Sequence, residues 1–519
     1  MANRIGYQRM IAARAHEHRG WDDAAGSCPA CLQEQLLHTL LESGDDALHR
    51  RIQDVWPIDA EAAFGALPTP LRLHADPRYT GRGVTMALID SAFYPHPDLV
   101  WPVNRVRAWV DATRDPVEAL TFGPDRAPRW PGWDLGRPAQ WHGLMTSAVA
   151  AGNGWLSHGL YRGLASGADL VLIQAQDERG RITNAAITRA LHWLRVHGPA
   201  LGVRVVNLSV GGDPVRQLAG NPVDRAVAAL VAKGMVVVAA AGNDGRRNLL
   251  PPATAPEALT VGGLDDKNGF DHTQVELWHG NYGATVEGAG KPELVAPSIW
   301  VVAPLLPGSE LAVRAGGWFA RRGTGDVAVE GGIAANKLVT KHYQHVDGTS
   351  FAAPLVAGVA ACMLQANPAL TPAQVRWLLI AAAQPIPGAP VERQGAGAIH
   401  AGQAVALALA FGRLFPDLAP LTAAEPSATT FLYYDPRASQ VAVLGAWDGW
   451  HAPGLPAMQL APGLWLASGL LRPGRYGYKF LVDGGRWQDD PANPRKLPDG
   501  HGGLNSLLRV RAGPQEPAG

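Results

Sequence analysis

The chain has 519 residues, 47% hydrophobic and 17% charged, which is material for large buried cores and excludes a disordered polypeptide. Lys plus Arg and Asp plus Glu number 45 each with no long run of either sign, so no phosphate-tracking surface and no nucleic acid partner is expected. Three cysteines, Cys28, Cys31 and Cys362, are too few for a disulfide framework and fit a reducing compartment. The N-terminal MANRIGYQRMIAARAHEHRGWDD lacks an apolar core and a small-residue cleavage site, and no run reads as a membrane span, so a cytoplasmic location without a membrane partner is expected.

Residues 1–70 read as a short helical segment, with Leu36, Leu37, Leu40 and Leu41 forming one apolar face. His16, His18, Cys28 and Cys31 have ligand types that suit tetrahedral zinc, but a lone CxxC without a second CxxC or an HxxxH partner is more often an ordinary cysteine pair.

From residue 71 to 412 short apolar runs alternate with helical patterns. VTMALI (84–89), LVLIQAQ (170–176), VRVVNLSV (203–210) and MVVVAAAGN (235–243) read as buried parallel strands. TNAAITRALHWLRVHG (183–198) and PVDRAVAALVAKG (222–234) read as helices, each closed by a glycine suited to a C-cap. TSFAAPLVAGVAACMLQA (349–366) and TPAQVRWLLIAAAQ (371–384) continue the series, with Thr371 as N-cap and helical character persisting to about Ala410. Such alternation predicts an α/β fold with a mostly parallel sheet and right-handed crossovers.

Four polar residues stand at strand ends or helix starts, where ligand sites of open α/β sheets gather: Asp90, His142, Asn243 and Ser350. A serine hydroxyl is a weak nucleophile until an imidazole takes its proton, and a carboxylate must fix the tautomer of that imidazole. Ser350, His142 and Asp90 suit these roles. The Asn243 amide and the Ser350 backbone N–H, at the positive end of a helix, suit an oxyanion.

The order Asp, His, Ser separates this arrangement from other triads. With ALIDSAFYPHPDL, HGLMTSAVAAGNG, VVNLSVGG, AAAGNDG, KPELVAPS and DGTSFAAPLVAGVAA all in order, the chain resembles the subtilisin-like serine proteases over roughly residues 72–412. The resemblance implies a serine endopeptidase that hydrolyses peptide bonds in protein or peptide substrates through an acyl-enzyme and requires no cofactor for its chemistry. Structural calcium is common in the family, although no ligand set can be mapped. By the same resemblance Ser209, Val210 and Gly211 would line substrate and Asp244 would stand near the pocket mouth, where it would favour a basic residue or simply belong to a surface turn. The N-terminal segment would be a propeptide, a regulatory clamp or a partner-binding module. One departure is Ser91-Ala92-Phe93 after the aspartate, where the family usually has a glycine after Ser or Thr. The stretch from Pro297 to Asp347 is longer than the family needs, and a lid over the site is expected there.

The Pro-rich stretch 413–428 reads as a linker, and 429–512 as a β-sandwich of short alternating strands. VAVLGAWDGW, GRYGYKFLVDGGRWQDDP and DGHGGLNSLLRV resemble the glycogen-binding modules of AMP-activated kinase β subunits and related early-set domains. That resemblance implies Trp450, Lys479, Trp487 and Asn505 as contacts to glycogen or another α-glucan, since sugar C–H faces pack on flat aromatic rings. Protein docking on the same face remains the other reading. A catalytically silent scaffold that docks partners through this module is the alternative for the whole chain.

Overall fold

The computed structural model describes residues 66–123, 137–157, 159–214, 220–269, 275–286, 288–414 and 428–510, the last without 448, 449, 452, 462, 472, 473, 494 and 500–502. His16, His18, Cys28, Cys31 and the leucine face at 36–41 lie outside the described residues.

Every residue of β1 (Thr85–Asp90) is buried. Because successive side chains of a strand point to opposite faces, Met86 and Leu88 enter one core while Ala87 and Ile89 enter another. A strand apolar on both faces needs helices above and below, and these cores supply them. The other strands are β2 (Val106–Asp111), β3 (Glu118–Thr121), β4 (Asp169–Gln174), β5 (Val203–Leu208), β6 (Val236–Ala240) and β7 (Leu259–Asp265). With Leu294–Pro297 they form a sheet in the order Leu294–Pro297, β7, β6, β5, β1, β4, β2, β3, and the short strand Glu276–Leu277 pairs with β7. All neighbours are parallel except β2 with β3 and β7 with Glu276–Leu277. The expected α/β class is what the structure has.

Helix Asn184–His197 is capped by the Thr183 side chain, and Pro372–Ala382 carries a full capping box from Thr371 and Gln374. Gly198 differs from expectation. It keeps helical dihedrals, and its glycine is required because a β-carbon would lie 2.5 Å from the Leu194 carbonyl and 2.7 Å from Met235. Gly234, at φ +89°, does take the left-handed conformation. Helical character also does not run unbroken to residue 410. Gln384 and Ala398 form a bridge, Val391–Gln394 is a single turn, and the last helix is Ala401–Leu414.

Helix Thr349–Ala366 is 18 residues long and apolar enough to cross a membrane, contrary to the reading that no such run exists, yet 83% of it is buried inside the protein. It packs on β5, β6, β7 and the His142-bearing helix Gln140–Ala151. This is the central core helix of the α/β body. Residues from Ala66 onward already pack on that body: Leu67 N–H donates to Asn268 Oδ1 at 2.7 Å, and buried Arg72 pairs with Asp266.

The long stretch before Ser350 is a folded unit. Val301–Pro304, Tyr343–Val346 and Leu338–Thr340 form an antiparallel sheet, while helices Glu310–Arg321 and Val327–Ala335 close a small core of Leu305, Ala315, Val329, Ile333 and Leu338. Its Val301–Pro304 strand lies against the His142 helix.

From Ala428 to Val510 the described residues form only β-strands and the turns between them. Ala428–Tyr434, Leu464–Leu470 and Met458–Ala461 make one sheet; Leu455–Pro456, Val441–Gly445, Gly474–Val482, Leu504–Val510 and Lys496–Pro498 make another, with Arg486–Gln488 added to Gly474–Val482. Phe431, Tyr433, Val443, Trp465, Tyr478, Phe480 and Val482 fill the space between them.

Candidate active site

Asp90 is the last residue of β1 and only 1% exposed. An isolated carboxylate so buried would be strongly disfavoured, and three residues donate to it. Ser91 N–H reaches Oδ1 at 2.6 Å, Thr146 Oγ1 donates to Oδ2 at 2.7 Å, and His142 Nδ1 lies 2.6 Å from Oδ1. His142 and Thr146 are four residues apart on one helix, so both face the same way. Gly143 permits the close approach of that helix, since a β-carbon there would sit 2.1 Å from the Ala92 carbonyl. Ala92 itself is absent from the residues with positive φ, so the departure from the family's glycine places no strain there.

Burial is the largest influence on the His142 pKa and disfavours the cation. The charge and hydrogen bond of Asp90 act together against it, and the net pKa is raised above 6.5. The ring retains 22% exposure, so it stays open to a proton exchange partner. Its flanks are aromatic: Trp141 stands edge-on at 5.1 Å, and Phe351, which follows Ser350, has its ring centroid 5.7 Å away. The first turn of the Ser350 helix is thereby brought beside the imidazole.

Asn243 is held from the opposite side of that turn. Its Oδ1 accepts from Thr349 N–H at 2.9 Å and Thr349 Oγ1 at 2.8 Å, which leaves Nδ2 to donate elsewhere. Thr349 Oγ1 in turn accepts from Gly242 N–H at 3.0 Å. Gly348 has φ +135°, and a β-carbon on it would press to 3.4 Å from Asn243 Nδ2. The Ser350 N–H is one of the first-turn donors that an α-helix leaves without an intrahelical partner.

Asp90, His142, Asn243 and Ser350, which are remote in sequence, therefore meet at the carboxyl ends of β1 and β6. Ser209 and Val210 follow β5 beside them, both buried, and Gly211 is exposed. The Ser209 side chain is engaged within the protein, donating to the Ser350 carbonyl. Asp244 is tied to Asn281, whose Oδ1 accepts from the Asp244 N–H at 2.8 Å and whose Nδ2 lies 3.2 Å from Asp244 Oδ2. Thr146, Asn207 and Thr349 were not singled out from the sequence; the four-residue offset of Thr146 from His142 was the available signal for the first of them.

In the C-terminal module Tyr478, Phe480 and Val482 point inward, so Gly477, Lys479 and Leu481 face outward. Trp487 pairs with Leu481, is 47% exposed, and lies 6.2 Å from the Trp450 ring at 58°. A β-carbon at Gly477 would lie 3.5 Å from Asn505 and 3.7 Å from the Trp450 ring, which sets these residues on one surface. Lys479 is on the same surface, its Nζ 2.5 Å from Asp499 Oδ2. Among the described residues no group of three or more His, Cys, Asp or Glu side chains could hold a metal ion.

Residues 81–397 match the subtilase family, and residues 428–516 match the glycogen recognition site of AMP-activated protein kinase. The serine protease AprX of Bacillus subtilis is 30% identical over 391 residues, spanning 73% of this chain and 78% of AprX. Halolysin of Haloferax mediterranei is 28% identical over 349 residues, 66% of this chain and 53% of halolysin. Subtilisin BL of Lederbergia lenta is 27% identical over 298 residues, 57% of this chain and 82% of that protein. The chain belongs to the subtilase family. It is a subtilisin-like serine endopeptidase that carries a glycogen-binding module at its C-terminal side.

Proposed function

We propose that the chain hydrolyses peptide bonds with Ser350 as nucleophile, His142 as general base and Asp90 as the carboxylate that holds the imidazole. The observation that carries this reading is the Asp90–His142 contact at 2.6 Å beside the first turn of the Ser350 helix. Nδ1–H donates to Asp90, which leaves Nε2 as the proton acceptor. Ser350 Oγ attacks the scissile carbonyl carbon as its proton passes to Nε2, and the oxyanion forms toward Asn243 Nδ2 and the Ser350 N–H. Collapse breaks the C–N bond, and His142 returns the proton to the departing amine. Water, deprotonated by the same imidazole, then attacks the acyl carbon, and as the C–Oγ bond breaks the imidazolium returns its proton to Ser350 Oγ. Extended substrate would pair with the backbone after β5, at Ser209, Val210 and Gly211.

The outward surface of Trp450, Lys479, Trp487 and Asn505 supports binding of an α-glucan, which would hold the protease near polysaccharide-associated proteins. The catalytic reading is tested with a fluorophosphonate probe on the full chain: labelling is expected, and its loss in Ser350→Ala. A folded parent protein that takes no label and cleaves no peptide would sink the enzymatic assignment.

A further inference from the structure

In a helix each carbonyl accepts from the N–H four residues on. For Ser350 that residue is Pro354, inside helix Thr349–Ala366, and proline has no N–H. The carbonyl of Ser350 is thus stripped of its helical partner at a part-buried position. Ser209 Oγ supplies the missing donor at 2.7 Å. Ser209 is 4% exposed and its hydroxyl is oriented by a second bond, from Asn207 Nδ2 at 2.9 Å, which occupies the Ser209 oxygen as acceptor and directs its proton onward. Asn207 is the penultimate residue of β5 and is fully buried.

We propose that Ser209, oriented by Asn207, is a positioning residue for the nucleophile: its hydroxyl replaces the hydrogen bond that Pro354 cannot make and fixes the Ser350–Phe351 peptide unit. The other end of that unit is also tied, by Phe351 N–H to the Gly348 carbonyl at 3.0 Å. With both ends held, the Ser350 backbone, and through it the approach of Oγ to His142, has one orientation. The same strand extension would bind substrate through its backbone, so Ser209 joins the substrate strand to the nucleophile. This inference rests on Ser350 being the nucleophile.

A contact with substrate and a brace on Ser350 make different kinetic predictions. Removing the brace impairs the chemical step, so Ser209→Ala is expected to lower kcat about tenfold while KM changes little. Fluorophosphonate labelling, which needs no peptide contacts, should slow by a similar factor. The decisive variant is Ser209→Ala/Pro354→Ala, in which residue 354 regains an N–H able to bond the Ser350 carbonyl, and most of the lost labelling rate should return. Ser209→Cys, a weaker donor of similar size, should fall between parent and Ser209→Ala, and it provides the same reading if the alanine variant does not fold. The proposal is overturned if Ser209→Ala raises KM at unchanged kcat and labelling rate, or if the double variant, folded by thermal melting, is no faster than Ser209→Ala. Labelling of the parent at Ser350 holds the catalytic reading separate from either failure.

Discussion

Thr146 Oγ1 donates to Asp90 Oδ2 at 2.7 Å, while His142 takes the other carboxylate oxygen. A carboxylate that loses a donor becomes more basic and holds an imidazolium more tightly. In Thr146→Val the acid limb of kcat/KM is therefore expected to move to higher pH. Because Thr146 and Asp90 are both buried, the unsatisfied oxygen should also cost stability, about 1–3 kcal/mol. A pH–rate profile with a urea titration checks both; an unmoved acid limb would remove Thr146 from the proton chemistry.

The His142 pKa, raised above 6.5, has a sign for activity and another for stability. As the proposed general base His142 must be neutral, so kcat/KM should fall as pH drops through a value above 6.5. Stability gained from the Asp90–His142 pair is full below the unfolded value of 6.5 and is lost as pH rises through the folded pKa. Asp90→Asn removes the raising influence and leaves burial, which lowers the pKa. Its acid limb should thus shift below that of the parent, with kcat down by about 10⁴-fold as in other triads.

The groups proposed for the chemistry could be picked out because each sits in a short motif at a strand end or helix start, where topology brings distant residues together. Asp90, His142, Asn243 and Ser350 are such residues, and helix Thr349–Ala366 fell where its apolar run placed it. What holds them was not legible. Thr146 and Thr349 are ordinary small polar residues whose value lies in contacts made across the fold, 56 residues away to Asp90 and 106 to Asn243, and Asn207 acts through neighbouring Ser209, whose own contact to Ser350 spans 141 residues. Pro354 was in plain view, but the consequence of a missing N–H appears only when its carbonyl partner and the substitute donor are both in place. The stretch after Pro297, where a lid is expected from the sequence, has a core of its own that the sequence did not reveal, because Ala315, Val329 and Ile333 come together only when its two helices pack.

The outward aromatic pair of the C-terminal module separates targeting from catalysis. Trp487, 47% exposed, can be lost with little cost to the fold. Trp487→Ala and Trp450→Ala in the full chain should release the protein from immobilised glycogen, while hydrolysis of a short soluble peptide stays at the parent rate. Retention equal to the parent would show that this surface does not hold the glucan.

Lys291 is wholly buried, and its Nζ donates to the Ala258 carbonyl and to Glu293 Oε1, each at 2.6 Å. Glu293 also receives Arg376 on Oε1 and the Thr260 N–H on Oε2 at 2.8 Å. Burial pulls the Lys291 pKa down to about 8, with Glu293 opposing it. Removing the lysine leaves the carboxylate its guanidinium and N–H partners, whereas neutralising the glutamate leaves two cations facing each other. Glu293→Gln should therefore destabilise by about 3–5 kcal/mol, and Lys291→Met by less. The pH dependence has a definite sign: unfolded Lys291 keeps its proton up to about 10.5 while the folded group loses it from about 8, so this group's contribution to stability rises with pH across that interval. Without Glu293 to favour the cation the folded pKa falls further, and the deficit of Glu293→Gln should shrink as the solution is made alkaline. Urea midpoints at several pH values, measured in Ser350→Ala to prevent self-digestion, check the order and the slope. A Lys291→Met variant less stable than Glu293→Gln would mean that the lysine, and not the carboxylate, is the centre of this buried network.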